Sequence, residues 1–180
     1  MSRVRALPPI GRILVVAALS LLGACDRTPT EPAQPKATSS LFGPTSPELV
    51  ECPTDETKFK TVDILDATIE NLVSLDGHSV LFPPNALPGP TTVTLTVPAS
   101  RYVEITIHAE GVDYFPVVKP IVTISYARCN RFDVLLKPLT AWYIDSETKE
   151  LLEKMLSVDN KLTRSVTFPT NHFSGYAVAF

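Results

Sequence analysis

Three cysteines, three histidines and a thin scatter of carboxylates are the side chains with which this chain could do chemistry. His78, His108 and His172 lie at no spacing that metal ligation uses, and Cys52 and Cys129 alone are too few ligands for a metal centre. Asp63 and Asp66 could open a calcium loop. They lack the further oxygen ligands and the bidentate acid of such a loop, so they read as solvated turn residues. Glu104, Asp113 and Asp133 have no partner at the spacing of an acid–base pair. No GxSxG, P-loop, HExxH or EF-hand pattern occurs, no cofactor is implied, and an enzyme is not expected. Tyr114, Phe115, Trp142 and Tyr143 could line a sugar-binding face. A lone Trp in a strand-like run, however, reads first as core.

Cys25 is a different case. Arg3, Arg5 and Arg12 form a positive leader, Ile13 to Leu22 is a ten-residue apolar run, and the small residues Gly23 and Ala24 precede the thiol. A secretory signal peptide has this three-part order. Ten residues rise about 15 Å as a helix, too little to span a hydrocarbon core of roughly 30 Å. Leu22-Gly23-Ala24-Cys25 resembles the lipobox of bacterial lipoprotein signal peptides. That resemblance implies that a diacylglyceryl group alkylates the Cys25 thiol and that the peptide is cut just before it. The residue types suit this chemistry, since only a thiol forms the thioether and small neighbours let a peptidase approach the backbone. Two or three acyl chains, at about 0.8 kcal/mol per buried CH₂, would hold the protein stably on a membrane. The expected location is the bacterial cell envelope, exported and anchored, with the membrane as partner through lipidated Cys25.

Three regions are therefore expected: a lipoprotein signal peptide over 1–24, an anchor and disordered Pro/Thr/Ser-rich linker over 25–47, and a folded domain over 48–180. The linker is nearly free of large apolar residues other than Leu41 and Phe42, so it cannot bury enough surface to fold. Removing residues 1–24 takes away three arginines and no acid, leaving 13 basic against 19 acidic residues. An acidic body without a basic patch disfavours nucleic acid as a partner. Export would place Cys52 and Cys129 in an oxidising compartment, where a pair of this kind forms a disulfide.

The folded part reads as short strands. Val93–Val97, Val103–Ile107, Ile121–Tyr126, Arg164–Phe168 and Gly175–Phe180 alternate as half-buried strands do, and Asp76-Gly77 marks a tight turn before Ser79–Phe82. Pro88-Gly89 fits the centre of a type II turn. Ser146 to Leu156 has helix propensity, but a hairpin turning at Asp145 to Thr148 suits its strand-like flanks better. Short strands with frequent turn signals predict an all-β, antiparallel β-sandwich.

Three stretches, "GHSVLFPPNALPGPTTVTLTV" (77–97), "GVDYFPVVKPIVTISYARC" (111–129) and "TNHFSGYAVAF" (170–180), together resemble the ZU5 domain, especially its relatives in secreted and lipid-anchored bacterial proteins. The resemblance implies a β-sandwich used as a non-catalytic protein-interaction or structural module and names no partner; an envelope protein or glycan is the class of partner expected at that location. Where family members often carry glycine, this chain has Asn85, which tolerates the positive φ such a turn needs. In some ZU5-containing proteins a His-Phe-Ser motif cuts its own backbone by an N-to-O acyl shift. By that resemblance His172, Phe173 and Ser174 are candidates for autoproteolysis. The simpler reading has Phe173 packing the sandwich while His172 and Ser174 bond locally.

Overall fold

Alternation of apolar and polar side chains with period two dictates the architecture. The structure is a computed structural model that describes residues 47–115 and 117–180. The expectations for 1–24, Cys25, Leu41, Phe42 and most of the linker lie outside the described residues.

Thirteen strands and one short helix are described: β1 Glu51–Thr54, β2 Lys58–Ile64, β3 Asn71–Leu75, β4 His78–Phe82, β5 Thr91–Val97, β6 Ser100–Tyr102, β7 Glu104–Ala109, β8 Ile121–Ser125, α1 Phe132–Leu136, β9 Thr140–Ile144, β10 Leu151–Lys154, β11 Val158–Asn160, β12 Ser165–Pro169 and β13 Gly175–Ala179. They form a six-stranded sheet in the order β10-β9-β13-β7-β5-β2, a five-stranded sheet in the order β11-β12-β8-β4-β3, and a β1-β6 ribbon. The described pairings are antiparallel. The chain is thus an all-β antiparallel sandwich. Phe82, Phe115, Phe168, Tyr126 and Tyr176 are the bulkiest fully buried side chains, interleaved with aliphatics of β4, β5, β7, β8 and β12.

The turns follow the local chemistry, with one exception. Asp76 and Gly77 both take positive φ (50° and 83°), which closes the two-residue β3–β4 hairpin with Leu75 opposite His78. Asn85 takes φ 64°, as its turn requires. The 145–148 hairpin forms: the Asp145 carboxylate accepts the Glu147 and Thr148 N–H groups, Lys149 takes φ 64°, and β10 returns along β9. Helix propensity in that segment loses to sheet pairing. The type II turn at Pro88-Gly89 does not form, because Gly89 lacks the positive φ it needs. Pro90 supplies the reason: a residue before proline is pushed towards extended backbone, away from the ψ near 0° of that turn position.

Trp142 also departs from expectation. On β9 the core-facing positions are Ala141 and Tyr143, so Trp142 points to the outer face of the six-stranded sheet, where it is half-buried. Phe115 is buried and Tyr114 exposed, so the four aromatic residues form no common row.

Candidate functional site

The disulfide expected between Cys52 and Cys129 is present, with Cα atoms 5.6 Å apart. It fastens β1 to the connection that follows β8. Arg128, beside Cys129, donates from Nη2 to the carbonyl oxygens of Cys52 (3.2 Å) and Tyr102 (3.3 Å), so one guanidinium ties down both strands of the ribbon.

Next to this clamp a recess of about 380 Å³ opens at the end of the sandwich. β1 contributes Thr54, β2 Lys58, the β3–β4 turn Asp76, β4 His78, and the end of β8 Ser125 and Arg128. Lys58 Nζ and Asp76 Oδ2 pair at 2.6 Å on the exposed rim. Their bond holds the Asp76 carboxyl below its ordinary range and raises the Lys58 ammonium. His78 is 1% exposed, and its Nδ1 accepts the Ser125 backbone N–H at 3.2 Å. The ring proton of the neutral imidazole therefore sits on Nε2. No hydrogen bond among the described residues engages that Nε2, and the Thr54 hydroxyl, fully buried, has no partner either.

Burial pushes His78 down to about 4; the nearby Arg128 charge adds to the shift and Asp76 opposes it. In the unfolded chain the ring titrates near 6.5, so between pH 6.5 and 4 the unfolded state holds the extra proton. Stability is then full above 6.5 and falls as pH drops towards 4, by roughly 3 kcal/mol over that interval. Urea denaturation at pH 7.0 and 4.5 measures the slope. His78→Gln removes its histidine component; an unchanged slope in that variant would exclude His78 as the cause.

A buried ion pair lies on the outer face of the six-stranded sheet. Glu104, 3% exposed, accepts from Lys149 Nζ at 2.7 Å, while its other oxygen, Oε1, is buried without a partner among the described residues. Glu104, Ala177 and Trp142 stand side by side across β7, β13 and β9, and the indole Nε1 is likewise buried and unpartnered. The sequence places Glu104 and Lys149 45 residues apart, and no local signal joins them.

His172, Phe173 and Ser174 precede β13. Phe173 packs edge-on against Phe82 and Phe115 at ring separations of 5.8 and 4.7 Å. The His172 Nδ1 lies 3.3 Å from the Tyr176 hydroxyl, which is also bonded to the His172 carbonyl (2.5 Å) and to Thr170 Oγ1 (2.6 Å). His172 makes no hydrogen bond to the Ser174 hydroxyl, and the Ser174 carbonyl is engaged by the Ile107 N–H at 3.0 Å. Asp66 accepts the Thr68 N–H and hydroxyl, Asp63 accepts from Thr92, and Asp133 pairs with Arg131 at 2.6 Å. Among the described residues no cluster of three or more His, Cys, Asp or Glu is arranged to hold a metal.

No family model matches the chain, and no curated protein or solved structure is significantly similar to it.

Proposed function

We propose that this chain is a lipid-anchored lipoprotein of the bacterial cell envelope whose β-sandwich, of ZU5-like kind, works as a non-catalytic protein-interaction module. Cys25 is the anchor, and the membrane is its partner at that end. The observation that carries the interaction role is the outer face of the five-stranded sheet. Leu72, Leu81, Ile121 and Pro169 stand opposite one another across β3, β4, β8 and β12, forming an apolar row four strands wide. The next row is Ser74, Ser79, Thr123 and Thr167, extended by Val158 of β11. Neither row carries a charge. Leu72 is 61% and Val158 71% exposed, on the two edge strands of that sheet. An uncharged face with an apolar row beside a row of small hydroxyl residues is the kind of surface that contacts other proteins.

The test joins both ends of the reading. The full chain expressed in a bacterium should take up radiolabelled palmitate and lose the label on Cys25→Ala. Crosslinking in the envelope should trap a protein partner through the wild-type face, with a yield at least tenfold lower for Leu72→Asp. Equal yields would sink the interaction role of this face; label retained in Cys25→Ala would sink the anchor.

A further inference from the structure

The recess at the disulfide end lies at the edge of the sandwich, apart from the apolar row just described. Its floor is neutral and its rim is charged. At the floor the Thr54 hydroxyl is buried without a partner, and the His78 Nε2–H, on a ring that is almost wholly enclosed, is engaged by no described residue. A fold that buries polar groups normally pairs them, so the Thr54 hydroxyl calls for a partner from outside the chain, and the His78 Nε2–H is a donor free to meet the same one. Beside them, Ser125 Oγ accepts the Ala127 N–H and keeps its own hydroxyl proton to give. On the rim, Lys58 and Asp76 cancel. Arg128 has no carboxylate partner: its Nη2 goes to two backbone carbonyls, and its other N–H groups bond to no described residue. One positive charge is left over.

We propose that this recess binds a small hydroxylated monocarboxylate of sugar-acid size, with Arg128 meeting the carboxylate and Thr54, His78 and Ser125 meeting hydroxyls. The volume, about 380 Å³, lies in the lower range of small-molecule pockets and suits one sugar-sized ring. Arg128 matches a planar carboxylate in shape as well as in sign. A phosphate monoester, with about 1.5 to 2 negative charges at pH 7, would be left undercompensated by a site that holds one surplus cation and a neutral imidazole. A neutral sugar would leave the guanidinium unmatched. Asp76 can accept a ligand hydroxyl at the rim while keeping its bond to Lys58.

The test is calorimetric titration of the full chain in detergent at pH 7 with three probes: sodium glucuronate, glucose and inorganic phosphate. Glucuronate should bind saturably with one-to-one stoichiometry, at least tenfold more tightly than glucose or phosphate. Arg128→Gln should weaken glucuronate at least tenfold and leave glucose unchanged. Thr54→Val, which keeps the side-chain shape, should weaken glucuronate several-fold; it guards against an Arg128 variant that fails to fold. Absence of saturable glucuronate binding, phosphate binding as tightly, or an Arg128→Gln variant with wild-type affinity would each overturn the assignment.

Discussion

Replacing both Cys52 and Cys129 with alanine should lower the unfolding free energy by about 4 kcal/mol, an upper-end figure from the loop entropy the bridge removes. The residues are 77 apart, so the bridge restricts much of the unfolded domain. The site of the loss is as specific as its size. Cys52 lies on β1, which pairs only with the short strand β6 among the described residues, and Arg128 and the exposed Arg101–Glu51 ion pair are the other side-chain ties across that ribbon. Hydrogen exchange should therefore show β1 and β6 opening well before the two sheets once the bridge is gone. Urea denaturation of the double variant gives the magnitude. A loss under 1 kcal/mol, or uniform loosening of all strands, would mean that the ribbon is held by something other than the sulfur link.

Asp159→Ala should cost about 3–5 kcal/mol, the range for breaking a buried charge pair with its hydrogen bonds. The Asp159 carboxylate is only 11% exposed. It accepts from the Tyr126 hydroxyl at 2.7 Å, from the Leu139 N–H at 2.9 Å and from Lys161 Nζ at 2.7 Å. Lys161 in turn donates to the carbonyls of Val134 and Lys137, at and just beyond the end of α1. One carboxylate thus joins β11, the end of β8, the start of β9 and the helix. Burial, helped by Asp159, keeps the Tyr126 hydroxyl protonated well beyond the ordinary tyrosine range, so it is a donor at any working pH. A double-mutant cycle with Tyr126→Phe separates the contributions, and the phenol–carboxylate pair should show a coupling above 1 kcal/mol. Additive single effects would place the stability of this corner in Lys161 instead.

The strands that show themselves in the sequence are those in which one face alone is apolar. Thr91–Val97 alternates cleanly because β5 sits inside the six-stranded sheet with threonines outward and valine and leucine inward. β2 is illegible because Lys58 and Lys60 share the inward parity with Val62 and Ile64; at the open edge of the sheet those lysines still reach water. Trp142 misled for a related reason: a large ring on a strand signals burial, but not against which face. The disulfide follows from cysteine count and from the compartment expected of the leader. The recess does not, since its lining comes from positions between 53 and 128 and depends on pairings that no short window encodes. The Lys149–Glu104 pair is hidden in the same way, because Lys149 reaches the carboxylate only through the positive-φ bend of its hairpin.

The place of β13 has a bearing on assembly. It lies between β7 and β9 near the middle of the six-stranded sheet, and its five residues are buried on both sides. Until residues 175–179 have been supplied, β10-β9 and β7-β5-β2 are two fragments with nothing between them, and neither can close over the other sheet. The six-stranded sheet thus locks only once this keystone segment has joined its two fragments.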